Sequence, residues 1–180
     1  QQAMLPSVSE IEKYFDSFLL YRPKDIVSGD FYWFSALNYD KTGTLFFAVV
    51  DCTGHGVPGA FMSMIGNRLL IDAVKEKGII KPVDILEEID HRIRIALMQE
   101  ETSNNDGMDI CVCTLEYIGK NKCKIDFAGA KRPLFYSDIR NKKMEHIRGT
   151  VRGIGGKKRI REKAQKLFEE HSLTINKGEM

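Results

Sequence analysis

The chain has 180 residues, 27 Lys+Arg against 25 Asp+Glu for a net charge of +2, and 43% hydrophobic with 29% charged residues. That length suits one domain able to bury roughly 70% of its unfolded surface, and the composition excludes a wholly disordered chain. The longest apolar run is the six residues Leu45 to Val50, too short to span a bilayer, and four irregularly spaced cysteines do not read as a disulfide framework.

Gln1 to Pro6 lacks the basic and apolar regions of a signal peptide, so a cytoplasmic domain with free thiols and no membrane contact is expected. Residues 1–8 read as the end of a linker helix. Phe15 to Pro23, rich in aromatic and aliphatic residues and closed by proline, predicts a strand. After the Asp25–Gly29 bend, Asp30 to Phe34 begins a second, Asp40 to Gly43 reads as a hairpin turn, and Leu45 to Val50 is a third, apolar enough to be buried on both faces. Three such strands imply an antiparallel meander. A helix then runs from Val57-Pro58 to about Lys77 and stops at Gly78; it is apolar nearly all round and so expected between layers. Pro82 opens a second helix, whose Ile85, Leu86, Ile89, Ile93 and Leu97 follow helical spacing. Asp84, Glu87, Glu88 and Asp90 fill its first turns, where they complement the helix dipole.

Strands return at Asp109–Tyr117, Lys122–Ala128 and Pro133–Ser137 as a second meander, turning at Gly119-Lys120-Asn121. Between Arg140 and Lys163 stand ten Lys/Arg and two Glu, a local excess of +8. Such a stretch attracts phosphate groups or nucleic acid. Its sparse aromatics speak against base stacking, so a solvated face is expected and no nucleic-acid partner. A Gly-rich corner, Gly153 to Gly156, and a last strand through Leu167-Phe168 and Ser172–Ile175 complete a single α+β layered domain.

Two acids stand out by position. Asp30 follows Ser28-Gly29 at a strand start; Asp51 ends the apolar run and precedes Cys52-Thr53-Gly54-His55-Gly56. A carboxylate at the mouth of a buried strand needs a cation, amide donors or a proton. On adjacent strands these two offer the oxygen ligands that Mg2+ or Mn2+ takes along with water. The alternative is that Asp51 caps its turn and Asp30 is a turn acid. Gly54, His55 and Gly56, before a helix start, either expose amides to an anion or serve close backbone packing. The Gly-Lys-Ser/Thr of a nucleotide P-loop is missing, and Cys111 with Cys113, lacking a partner Cys or His cluster, does not read as zinc binding.

The segments Val27-Ser28-Gly29-Asp30-Phe31-Tyr32 and Val49-Val50-Asp51-Cys52-Thr53-Gly54-His55-Gly56-Val57-Pro58-Gly59-Ala60 closely resemble the SpoIIE-type serine phosphatase branch of the metal-dependent (type 2C) protein phosphatases. Leu5-Pro6, Asp106 to Ile110, Phe127 to Leu134 and Gly153 to Gly156 match further landmarks in order. The resemblance covers essentially the whole chain. It implies a two-sheet antiparallel β-sandwich flanked by antiparallel helix pairs, with two Mn2+ or Mg2+ ions at one sandwich edge. Asp51 would bridge both ions, Asp30 would bind one, and the Cys52 carbonyl would complete part of a shell, for catalysis by a metal-activated water. Arg22, Lys131, Gly54, His55 and Gly56 are candidates for the phosphate. The substrate class would be a phosphoserine or phosphothreonine on a STAS-type, anti-anti-sigma-like protein in a bacterial signalling pathway. A sensor or receiver domain would lie upstream, and a homodimer stays open.

Three departures accompany the resemblance. The family's later acidic motifs have no counterpart before Gly178-Glu179-Met180, so a domain lacking about its last quarter is expected, weak or inactive as it stands. His55 lies four residues after Asp51 and does not inherit the general-acid histidine found two residues after that aspartate in the eukaryotic branch. Ala130-Lys131-Arg132-Pro133 replaces a more neutral loop. A non-catalytic phosphatase-fold module that binds a signalling partner is the alternative. Asp51-x-Thr53 also resembles the nucleophile strand of haloacid-dehalogenase-like phosphatases, but Thr53 stands where their second aspartate belongs, and a meander argues against their parallel sheet.

Overall fold

The computed structural model describes residues 1–37, 43–138, 143–156 and 168–176. The expected turn at Asp40 to Thr42, Leu167, the residues from Gly178 onward and parts of the basic stretch (140–142 and 157–163) lie outside them. A short helix α1 (Val8–Ile11), capped by the Ser7 hydroxyl accepting from the Glu10 N–H at 3.2 Å, precedes the sheet. Strands β1 (Phe31–Leu37) and β2 (Thr44–Cys52) pair antiparallel from Phe31↔Val50 to Leu37↔Thr44. β3 (Gly107–Ile118) lies along β2 and β4 (Lys122–Ala130) along β3. β5 (Leu134–Asp138) and β6 (Lys143–Ile147) form a separate two-stranded ribbon. β7 (Ile154–Gly155) joins the start of β3, and β8 (Glu170–Asn176) adds to β4, so the main sheet runs β1-β2-β3-β4-β8 with β7 on β3.

One face of this sheet carries the helix layer. α2 (Gly56–Ile71) continues into a wider turn, Asp72–Glu76, and ends at Gly78 with φ +65°; α3 is Pro82–Ala96. Phe31, Trp33, Phe46, Ala48, Val50, Ile110 and Val112 point to this layer and bury against Met62, Leu70, Val74, Ile85, Leu86, Ile89 and Ile93. Each large aliphatic side chain so removed from water contributes roughly 1.5–3 kcal/mol. Gly66 lets α2 lie close on the sheet: a Cβ there would meet Met108 Cε at 3.0 Å and Phe31 Cζ at 3.1 Å. The opposite face is closed at one end by Ile11, Tyr14 and Phe15 over Phe34, Leu45 and Phe47. There the Phe34–Phe47 and Phe15–Phe47 rings stand 4.9 and 5.1 Å apart. The fold is α+β with antiparallel sheets, and no helix among the described residues is long and apolar enough to cross a membrane.

Several elements differ from the sequence reading. Phe15 to Pro23 forms no strand: it packs against β1 and β2 through side chains such as Phe15 and Tyr21 but joins no ladder among the described residues, and Phe18 and Leu20 are exposed. Strand preference expresses packing on a pleated surface and lapses without a partner. Val49 is 62% exposed, so β2 is not buried on both faces at its outgoing end. α2 covers one sheet only, leaving Val57, Phe61 and Met64 exposed. β5 leaves the second meander to pair with β6.

Candidate active site

The start of β1, the end of β2 and the start of β3 share one edge of the main sheet. Asp51 pairs directly with Asp109 across β2 and β3. One step beyond the Phe31↔Val50 pair, Asp30 stands level with Asp51 on the other side. Neighbouring strands lie about 4.8 Å apart, so three acidic residues fall at three neighbouring strand ends. Asp30 and Asp51 line one cavity of about 500 Å³ with Arg22, Tyr21, Tyr32 and Arg132. Asp109 lies outside its lining.

The approach to each acid is fixed by main-chain contacts. The Ser28 hydroxyl accepts from the Asp30 N–H at 3.0 Å, and the Tyr21 hydroxyl donates to the Asp30 carbonyl at 3.0 Å. Gln1 binds both sides of the preceding bend, accepting from the Ser28 N–H at 2.9 Å and donating to the Ser28 carbonyl. It also donates to the Ser63 hydroxyl on α2 at 2.8 Å. After Asp51, Thr53 is tied to β3: its N–H donates to the Gly107 carbonyl at 2.9 Å, and its hydroxyl accepts from the Gly107 N–H at 3.0 Å. A Cβ on Gly29 or Gly59 would sit 2.7 or 2.6 Å from the Gly54 carbonyl oxygen. These glycines therefore clamp the Asp30 loop, the Asp51 loop and the start of α2 together. Gly54, with φ +87°, needs a conformation that side chains disfavour.

Three acids near this edge, Asp51, Asp109 and Asp25, have a basic neighbour. Arg132 forms an ion pair with Asp51, both side chains about half exposed. Lys131 Nζ lies 3.0 Å from Asp109 Oδ1, and His55 Nδ1 lies 3.0 Å from Asp25 Oδ2. Lys131 has φ +61°. Gly153 closes against this pair, since a Cβ on it would lie 2.8 Å from Asp109 Oδ1. The Cys52 side chain turns into the core, and burial, with the Asp30 charge second, pushes its thiol up to about 12. The Cys52 carbonyl faces the clamp, 3.2 Å from where a Gly29 Cβ would be.

The structure thus gathers Arg22, Asp30 and Asp51 on one cavity. Lys131 stands beside it against Asp109, while Gly54, His55 and Gly56 form the clamp and helix entry behind it and do not line it. Sequence reasoning missed two residues. Asp109 is signalled only by the β2–β3 register, and Arg132 only by standing next to Lys131. Asp30 and Asp51 supply hard oxygen donors, which fit Mn2+ or Mg2+ in kind. Among the described residues no three His, Cys, Asp or Glu side chains come together as a metal cluster.

The family described as stage II sporulation protein E (SpoIIE) matches residues 41–179. Among solved structures, the SiaA-PP2C domain of Pseudomonas aeruginosa is 29% identical with a TM-score of 0.72, over 96% of this chain and 60% of that one. The RsbU and RsbW domains of Rv1364c from Mycobacterium tuberculosis are 23% identical with a TM-score of 0.56, over 88% of this chain and 38% of that one. A structure described as the bacterial stressosome, a modular system adapted to control secondary messenger signalling, is 14% identical with a TM-score of 0.52, over 87% and 66%. The last two show the fold alone. The chain therefore spans less than two thirds of the length of each of these solved chains. A comparison with the curated proteins gave no match.

Proposed function

Because the chain belongs to the SpoIIE family, the SpoIIE-type branch of the type 2C phosphatases, we propose that it hydrolyses phosphoserine or phosphothreonine on a STAS-type signalling protein in a bacterial pathway. The observation that carries this is that Asp30 and Asp51, which flank the Phe31↔Val50 pair at adjacent strand ends, line one cavity together with Arg22 and Arg132. Arg22 and Arg132 attract and orient the incoming dianionic phosphoryl group, and a guanidinium fork can take two of its oxygens. Asp30, Asp51 and the Cys52 carbonyl are the groups proposed to hold Mn2+ or Mg2+. When bound, such ions supply charge neutralisation at the phosphoryl oxygens and acidify a water molecule. The glycine clamp keeps the Asp30 and Asp51 loops at a fixed separation. Thr53 holds the β2 end against β3, so the carboxylates need little reorganisation when substrate arrives.

The test is phosphate release from a phosphoserine STAS protein by the protein carrying this domain. Release should require Mn2+ or Mg2+ and stop in EDTA; full turnover in EDTA rejects the reading. Asp51→Asn should lower kcat by about 10²-fold or more, the scale seen when one group stabilising transition-state charge is lost, with the fold unchanged by circular dichroism. A second reading, a phosphatase-fold module that binds its phosphorylated partner without turnover, draws on Asp51 and Asp109 each being held by a basic side chain. It predicts stoichiometric binding of the partner and no cation-dependent release.

A further inference from the structure

Lys131 and Arg132 are consecutive, yet both reach carboxylates at the same strand ends. Neighbours along an extended strand point to opposite faces; the left-handed backbone of Lys131 breaks that alternation. A residue with a side chain adopts this conformation only where its surroundings enforce it. Here the Lys131 N–H donates to the Thr150 carbonyl at 2.7 Å, and the Thr150 N–H donates to the Gly129 carbonyl at 2.7 Å. A Cβ on Gly149 would lie 2.6 Å from the Arg132 carbonyl oxygen, so the corner is fitted to glycine on its far side.

We propose that this corner makes Arg132 an exchangeable counter-ion: it competes with a divalent cation for the Asp51 carboxylate and, once displaced, meets the substrate's phosphoryl group in the same cavity. The inference rests on the phosphatase reading above. Three features support it. Arg132 lines the cavity together with Asp30, Asp51 and Arg22. Its pair with Asp51 is half exposed, and ion pairs in such positions are weak enough to exchange. The planar fork that matches a carboxylate matches a phosphate equally well. Lys131 completes the device by occupying Asp109, so a released Arg132 finds that neighbouring carboxylate already taken.

Calorimetric titration of cation-free protein with Mn2+ would compare wild type, Arg132→Gln and Arg132→Lys, each checked for wild-type circular dichroism. KM and kcat on a phosphoserine protein would be measured at saturating Mn2+. Arg132→Gln should tighten Mn2+ binding about threefold to tenfold, since a competing pair of modest strength is gone. It should also raise KM by more than it lowers kcat. Arg132→Lys should hold Mn2+ affinity within about twofold while still raising KM, because an ammonium keeps the charge and loses the fork. Unchanged Mn2+ affinity in Arg132→Gln, or unchanged KM in Arg132→Lys, overturns the inference and leaves the phosphatase reading standing. A wild-type protein that binds no Mn2+ overturns both.

Discussion

Single residues at this site are set by close backbone approach as much as by charge. Gly59 admits no side chain: a Cβ would press on the Gly54 carbonyl oxygen and stand 3.0 Å from the Gly29 Cα. Gly59→Ala should therefore cost about 1–3 kcal/mol, as overpacking generally does, measurable as a lower urea midpoint at unchanged m-value. Because the displaced atoms flank Asp30 and Asp51, phosphate release should fall along with stability; a variant as stable and active as wild type would show that the clamp is dispensable. The sequence displays these glycines plainly but leaves two uses open, anion binding and close packing. Their distances favour packing, since the ring of main-chain atoms around Gly54 belongs to three separate segments. Asp30 and Asp51 are legible because each stands where an apolar strand meets glycine. Arg132 is not, because its reach depends on the backbone twist at Lys131, which no residue type announces.

Among the described elements, α3 carries two buried charged residues. Asp90 and Arg94 are both nearly fully buried and paired at 3.0 Å. Asp90 also accepts from the Gly155 N–H at 2.8 Å, and Arg94 donates to the Gly155 carbonyl at 3.0 Å and to the Gly156 carbonyl. The spacing of Asp90 and Arg94 is visible in the sequence, and Asp90 there reads as a surface acid complementing the helix dipole. Besides Arg94 one turn on, its carboxylate takes the Gly155 N–H from 65 residues away, beyond any local pattern. Breaking one half of a buried pair typically costs about 3–5 kcal/mol. Asp90→Asn should thus lower the thermal midpoint by more than any exposed charge change on α3, for example Asp84→Asn. A similar small effect from both would place Asp90 in solvent. Phe15 to Pro23 teaches the converse: its aromatic and aliphatic residues suggest a strand, and without a pairing ladder it stays irregular.

At the level of the whole molecule, the thiols report how burial varies across the sheet. Cys52, Cys113 and Cys123 are buried and Cys111 is half-buried. A hydrogen bond with Cys111, followed by burial, holds the Cys113 thiol well above its ordinary 9.0. The folded state therefore keeps this proton when the unfolded chain has released it. The resulting stability is fully present below the ordinary thiol range and is lost as pH rises past it. Denaturation midpoints should fall above about pH 9, and replacing Cys113 with Ala should flatten that decline. At pH 8, iodoacetamide should modify Cys111 first in the native protein; equal rates at all four thiols would contradict the burial described. The alternation that makes a sheet with one helix-covered face is readable from the strands themselves. The β2–β3 pairing that brings Asp109 level with Asp51 bridges the whole helix pair, so hairpin signals reveal the first pair of acids and not the third.

The β1–β2 register has a consequence for quality control. A slip by one residue would take Asp30 out of line with Asp51 and, in the same movement, turn Phe31 and Trp33 from the helix layer toward water. The cost of exposing two aromatic rings thus polices the alignment of the acids. Chains that fold with their core intact arrive with the strand ends already in step, and a batch with low specific activity should betray itself by binding a hydrophobic dye.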